Sequence, residues 1–232
     1  MKLGIIQPNY IPWRGYFDFI AQCDYFLFLT DVQYTKRDWR NRNLIRTGPN
    51  AVNWLTVPTW NDSRGTPINS VQISYREPWQ QSHLNRFAEH YHLAPFYQEA
   101  RQILENSFEP GFERLASLTV DLTCHICRYL GITTRMGAST CLHSEGAKSE
   151  KLVNLCRMLG ADTYLSGPRA KDYLDIDLFS RYNIRVEWMD YQGYPEYHQQ
   201  YPGFDGAVTV LDVIANTGPQ AAYYTWKWRQ ND

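Results

Sequence analysis

The sequence predicts an α/β protein: a Rossmann-like, mostly parallel sheet flanked by helices, with a largely helical insertion at about residues 79–130, within a single domain spanning residues 1–232. Three observations carry this expectation. Short apolar runs near residues 2–6, 25–30, 133–136, 163–165 and 184–188 alternate with helical patterns, as βαβ units require. Residues 79–130 show helical apolar periodicity, broken near Pro95 and at Pro110-Gly111. No internal repeat or low-complexity linker divides the chain, and 232 residues suffice to bury a substantial core.

Taken in order, the first strand, residues 2–6, is stopped by Gln7-Pro8-Asn9-Tyr10-Ile11-Pro12, where two prolines withhold backbone donors. A helix is expected from about Trp13 to Gln22, with Tyr16, Phe17, Phe19 and Ile20 as its apolar positions. Residues 25–30 form the second strand, and residues 31–46 follow it as a basic loop. Residues 54–57 and 70–73 are short strand candidates on either side of a polar Gly- and Pro-containing turn, and are expected to pair as a hairpin. Beyond the helical middle, residues 133–136 read as a strand and residues 148–159 as an amphipathic helix stopped by Gly160. Residues 163–165 form a strand that runs straight into Ser166-Gly167-Pro168. Residues 184–188 supply a further strand, and residues 208–228 one or two helices.

Composition excludes several classes of function. Lys and Arg number 23 against 24 Asp and Glu, a net charge of −1, which does not suit a general nucleic-acid coat. No apolar run reaches membrane-span length and the N-terminus lacks a signal-like segment, so the expected location is cytoplasmic. Five scattered cysteines fit a reducing compartment. Cys124 and Cys127 share one helix face, with no second Cys pair to complete a zinc site. Neither a metalloprotease helix nor a G-x-S-x-G elbow occurs, and no metal is expected.

Against this neutral background, residues 31–46 stand out. Lys36, Arg37, Arg40, Arg42 and Arg46 face only Asp38 between Thr35 and Arg46, interleaved with Tyr34 and Trp39 and with the amides Gln33, Asn41 and Asn43. Arginine forks and amides suit phosphate or carboxylate oxygens, and flat aromatic faces suit a sugar or base. The stretch leaves the end of a predicted strand, where α/β sheets place ligands. Two further segments are expected at the same edge: Gln7 to Tyr16, including Tyr10, and Ser166-Gly167 to Tyr173. Gly15 and the helix start near Trp13 could cradle an anion or form an ordinary packed turn. Asp31 and His83 are the candidate acid and base. Asp31 could accept a proton or orient an amine, or equally pair with Arg37 or cap a turn. Asp175-Ile176-Asp177 matches the Asp-x-Asp pair of metal-using glycosyltransferases or, equally, a helix cap.

The run Gly4-Ile5-Ile6-Gln7-Pro8-Asn9-Tyr10-Ile11-Pro12-Trp13-Arg14-Gly15-Tyr16-Phe17, followed by Asp31-Val32-Gln33-Tyr34 and Trp39-Arg40-Asn41-Arg42-Asn43, resembles the WbqC-like protein family. Tyr164-Leu165-Ser166-Gly167 with Tyr173-Leu174 is similar to that family's second hallmark, and the likeness runs from residue 3 to about residue 217. The resemblance implies a place in O-antigen or other bacterial surface-polysaccharide synthesis, as a glycine-type N-acyl or aminoacyl transferase acting on a nucleotide-linked amino sugar. The activated donor it implies could be an adenylate, a thioester on an acyl carrier, or a charged tRNA. The arginines would then hold the diphosphate, the aromatics the sugar, and Asp31 would steer the amine. A glycosyltransferase of the same pathway and a non-catalytic nucleotide- or glycan-binding module are the rival expectations.

Overall fold

The computed structural model describes residues 1–60 and 65–230. Its strands, numbered along the chain, are β1 (Lys2–Ile6), β2 (Tyr25–Phe28), β3 (Arg42–Gly48), β4 (Ala51–Thr56), β5 (Arg135–Ala138), β6 (Thr163–Ser166) and β7 (Arg185–Trp188). Five of them form an all-parallel sheet in the order β5-β2-β1-β6-β7, and β3 and β4 form an antiparallel hairpin. The helices are α1 (Arg14–Ala21), α2 (Trp79–Tyr91), α3 (Tyr97–Phe108), α4 (Leu115–Tyr129), α5 (Lys148–Leu159), α6 (Ile176–Arg181), α7 (Val210–Thr217) and α8 (Ala221–Thr225).

Period-two alternation decides which layer covers which face. Leu3 and Ile5 of β1, Leu27 of β2 and Tyr164 of β6 pack with Val153, Leu155 and Cys156 of α5 and Phe179 of α6. Phe26, Phe28 and Leu165 point the other way, into a larger cluster with Phe17, Phe19 and Ile20 of α1, Leu122 and Ile126 of α4, and Leu211 and Ile214 of α7. Gly4 marks the closest approach between β1 and α1, since a Cβ there would overlap the Phe19 ring and the Cys23 sulfur. The buried faces of α2, α3 and α4 belong to this same larger cluster. Chain order runs from β1 outward to β2 and β5, then returns to the other side of β1 for β6 and β7. The order therefore reverses between β1 and β6, the point where open parallel sheets generally place ligands.

Local signals explain most boundaries. α5 ends where Gly160, at φ 69°, sends its N–H back to the carbonyls of Cys156 and Arg157. The Asp175 carboxylate accepts the Leu178 N–H at 3.0 Å, so the Asp175-Ile176-Asp177 pattern is the N-cap of α6. Cys127 lies buried in α4, its thiol pKa pushed well up by burial, and the cysteines are free. Among the described residues no helix is long and apolar enough to cross a membrane.

The expected hairpin does not form as predicted. β4 pairs with β3 instead, through a turn in which Asn50 takes the left-handed conformation at φ 55°. Residues 72–74 meet the chain just past β4, with Trp60 donating to the Gln72 carbonyl at 2.9 Å and Ser74 to that of Pro58 at 2.8 Å, while on their other side Leu115 donates to the Val71 carbonyl at 3.0 Å and Ile73 to that of Glu113 at 2.9 Å. The second half of the basic stretch is consequently a strand. Asn43 and Ile45 face the core, while Arg42 and Leu44 lie half-buried on the outer side.

Arg46 is 2 % exposed and works as an internal clamp. Its guanidinium donates to the Gln199 side chain at 2.5 Å and to the carbonyls of Gly203 and Pro202 at 2.6 and 3.0 Å. Gln199 in turn donates to Asp212 of α7, which also accepts from Tyr91 and Tyr197. Burial pushes the Asp212 carboxyl pKa up, and the donors from Tyr197, Gln199 and Tyr91 oppose that shift. Arg46→Ala would strand these acceptors, and a loss of about 3 kcal/mol is expected in urea unfolding. A stability within 0.5 kcal/mol of wild type, an ordinary surface effect, would contradict the clamp.

His83, expected as an acid or base, is instead packed on α2 with both ring nitrogens engaged. Nε2 lies 3.2 Å from the Thr56 carbonyl and Nδ1 2.8 Å from the Tyr10 hydroxyl. A carbonyl only accepts, so Nε2 carries the hydrogen and Tyr10 donates to Nδ1. Burial lowers the His83 pKa from 6.5 to about 4. Between those values the unfolded chain binds a proton that the native state does not. Stability should therefore be undiminished above pH 6.5, fall as pH drops, and level off below about 4, a change on the order of 3 kcal/mol. His83→Gln keeps a donor and an acceptor but cannot titrate. Denaturant titrations across this range should find that component missing in the variant.

Candidate functional site

The strand exits of the parallel sheet carry the segments that hold ligand-type chemistry. The exit of β1 is residues 7–13, and that of β2 is residues 29–41. They are locked together. Tyr10 N–H donates to the Trp39 carbonyl at 2.9 Å, and Asn43 Nδ2 donates to the Tyr10 carbonyl at 3.1 Å. Between these bonds and Pro12 sits Ile11, at φ 36°, a left-handed conformation that costs a β-branched residue about 1–3 kcal/mol. The cross-links hold the β1 exit in a shape it would not adopt alone.

Arg40 occupies the centre of this junction. Its Nε donates to the Gln7 side-chain oxygen and its Nη1 to the Asn9 side-chain oxygen at 2.6 Å, while the Asp38 carboxylate is 3.7 Å from Nη2. The side chain is only 19 % exposed. Burial pulls the guanidinium pKa down, but an arginine stays cationic. Neutral amide oxygens thus make the short, directional contacts to this largely desolvated positive charge, and the Asp38 carboxylate balances it only from 3.7 Å. Tyr16 donates to the Gln7 carbonyl at 3.2 Å and fixes that residue from below.

Across the exits of β2 and β5 lies a second cluster. Asp31 accepts from the Ser139 hydroxyl on one oxygen and from Lys151 Nζ at 2.7 Å on the other. Lys151, in the first turns of α5, is buried and also donates to the Ser144 carbonyl at 2.9 Å. Burial alone would push the Asp31 carboxyl up, but the bonds from Lys151 and Ser139 outweigh it and hold the group below the usual carboxylate range. Asp31 is therefore a fixed anion paired with Lys151 rather than Arg37. A carboxylate in that state orients a donor better than it abstracts a proton.

The anion cradle expected at the start of α1 is closed. The Trp13 ring folds onto Gly15, where a Cβ would overlap it, and the Val210 N–H takes the Pro12 carbonyl at 2.8 Å. Gly15 is required for this close packing. The other expected residues divide by burial. Asn41 is buried, with Nδ2 on the Val57 carbonyl at 2.9 Å, and Tyr34 is buried with its N–H on the Thr66 carbonyl at 2.8 Å. Gln33, Lys36 and Arg37 are exposed on the loop, with Arg37 at φ 53°. Trp39 and Arg42 both reach Trp54 on the outer face of the hairpin. Ser166 is buried at the end of β6, Gly167 follows it, and Tyr173 is 73 % exposed beyond the turn Pro168–Asp172.

Sequence reasoning placed Arg40 in the basic stretch without singling it out, and left Lys151 out of the site. Arg40 was indistinguishable from its cationic neighbours because Gln7 and Asn9 lie more than thirty positions away. Lys151 did leave a trace. It falls four residues before the buried Leu155, on the inner face of α5, where an unpartnered lysine would be costly.

Comparison with known proteins bears on what this junction serves. The chain is 40% identical over 230 residues, covering 99% of both sequences, to the uncharacterized protein Rv1507c of Mycobacterium tuberculosis. No solved structure matches it. The WbqC-like protein family matches residues 7–224, a span that includes the Gln7–Arg40 junction, the Asp31–Lys151 pair and the Asp212 network. The chain belongs to the WbqC-like protein family.

Proposed function

We propose that this protein is a cytoplasmic transferase of bacterial surface-polysaccharide biosynthesis. In this reading it binds a nucleotide-linked amino sugar across the carboxyl edge of a Rossmann-like sheet and transfers an activated acyl or aminoacyl group to the sugar amine. The observation that carries the proposal is Arg40, a desolvated cation oriented by the amides of Gln7 and Asn9 at the exit of β1. A guanidinium whose carboxylate contact, Asp38, stands off at 3.7 Å can take a closer anion from the ligand, and a diphosphate is the anion that nucleotide-linked sugars supply. The family's name hints at polysaccharide synthesis and supports the same class of substrate.

In the reaction the amine nitrogen bonds to the acyl carbon and the bond from that carbon to its leaving group breaks. The amine's proton departs with the leaving group or with water. Asp31, held ionised by Lys151 and Ser139, orients the amine, and the exposed Arg37 adds a phosphate contact. His83, with both nitrogens engaged, has no part in this scheme. The carboxylate of Asp175 is committed to capping α6, so the Asp-x-Asp reading gives a glycosyltransferase no support.

Calorimetric titration of UDP- and dTDP-linked amino sugars into wild type and Arg40→Ala tests the proposal. Loss of charge-assisted bonds, each about 1.5–3 kcal/mol, should weaken binding at least ~tenfold in the variant. If wild type binds none of these compounds, the substrate class is wrong, and equal binding by the variant would remove Arg40 from the phosphate site. Mass spectrometry of reactions with acyl thioesters or aminoacyl-tRNA then separates the chemistries. An acylated nucleotide-sugar supports this scheme, release of free nucleoside diphosphate points to glycosyl transfer, and binding without turnover to a non-catalytic module.

A further inference from the structure

We infer that the outer face of the β3–β4 hairpin is a base-stacking subsite, which takes the nucleobase of a nucleoside diphosphate whose phosphates lie on Arg40. The inference rests on the proposed function and assigns its ligand a direction.

Antiparallel pairing puts Arg42, Leu44, Trp54 and Thr56 on one side of the hairpin, opposite the buried Asn43, Ile45 and Leu55. On that side the Trp54 ring lies 5.2 Å from the ring of Trp39, at 46°, and the Arg42 guanidinium sits 4.1 Å over the Trp54 ring. Trp39 is nevertheless 41 % exposed, an unusual state for the largest apolar side chain. The platform is rigid. The Trp39 carbonyl is fixed by Tyr10, its N–H donates to Asp38 at 2.7 Å, and the carbonyl of Trp54 accepts from Arg86 at 3.4 Å.

Two arguments select the occupant. The first is adjacency: Trp39 immediately precedes Arg40, so an anion on Arg40 brings the neighbouring part of the same ligand within reach of the Trp39 ring. The second is the chemistry of the rim. The half-buried Arg42 guanidinium lies over Trp54 at the platform's edge, and Arg37 is exposed nearby in the chain. Guanidinium groups only donate. A base edge and a phosphate offer acceptors to match them, whereas sugar hydroxyls also need acceptors, and Asp38 is already engaged by Trp39 and Arg40. An aromatic face with cationic donors is the combination that holds a base and its phosphates.

The test compares inorganic pyrophosphate with UDP, dTDP, CDP and GDP by calorimetry on wild type, Trp39→Ala, Trp39→Tyr and Arg42→Gln, each checked for native circular dichroism. At least one nucleoside diphosphate should bind wild type about tenfold or more tighter than pyrophosphate. Trp39→Ala should erase that margin and leave pyrophosphate binding within about twofold, while Trp39→Tyr, which keeps a ring, should restore much of it. Arg42→Gln should narrow the margin in the same direction. If pyrophosphate and nucleotides bind alike, or the margin survives Trp39→Ala, the subsite is refuted while the phosphate site on Arg40 stands. A Trp39-dependent affinity for a free amino sugar would make the platform a sugar site and refute the assignment. If neither pyrophosphate nor any nucleotide binds, this inference and the proposed function fall together.

Discussion

The buried carboxylate of Asp212 is the constraint from which much of the architecture follows. A carboxylate with no exposed surface is tolerable only when its oxygens are satisfied, and here the donors come from Tyr91 on α2 and from Tyr197 and Gln199 in the segment before α7. Gln199 passes the connection to Arg46, and the Arg46 N–H donates to the Tyr91 hydroxyl at 3.0 Å. One network therefore fixes the hairpin, α2 and the C-terminal segment to one another. Such a network specifies arrangement more than it adds stability, because apolar packing could fill the same space without demanding partners. The arrangement it specifies is the placement of the hairpin.

That placement matters because the hairpin adjoins the candidate site. β3 begins two residues after Arg40, and its first residues, Arg42 and Asn43, reach outward to Trp54 and inward to the Tyr10 carbonyl. The sheet supplies the other half of the geometry. β1 is central, its neighbours β2 and β6 depart in opposite directions along the order, and its exit is where Gln7 and Asn9 wait for Arg40. Asp31 and Lys151 close the adjacent exits of β2 and β5. The junction thus joins an edge common to parallel sheets with a hairpin inserted between β2 and β5.

The parallel sheet was legible because its signals are local. Apolar runs marked β1, β2, β6 and β7 to within a residue or two, and a glycine that can adopt the left-handed conformation marked the end of α5. The hairpin was misread for the opposite reason. Residues 71–73 have strand-like side chains, but they pair with residues 59–60, just past the segment expected, and with residues 113–115, a choice settled by tertiary packing. The basic stretch was found as a charge count and then dispersed by the fold. Arg46 turns inward to a loop about 150 positions away, Arg42 stacks on a tryptophan, Arg40 enters the sheet edge, and Arg37 remains at the surface. His83 shows the same limit, since its partners at Tyr10 and Thr56 are distant in sequence and its environment, not its residue type, keeps it neutral.

The division of labour among these arginines also explains how a chain with net charge −1 can present a cationic site. Long-range charge is screened within about 8–10 Å at ordinary ionic strength, so what a ligand meets is the local balance. Had acidic residues stood at positions 7 and 9, they would have oriented Arg40 equally well and cancelled it. Amide oxygens at Gln7 and Asn9 supply the same directional acceptors with no net charge, so the guanidinium's carboxylate contact is the single long one to Asp38 at 3.7 Å. The carboxylate at Asp31 follows the reverse logic: it is matched by Lys151 and Ser139 and stays ionised without drawing on Arg40. Two opposite charges are thereby kept at neighbouring strand exits without neutralising each other, which is the separation that a substrate bearing an anion at one end and an amine at the other would require.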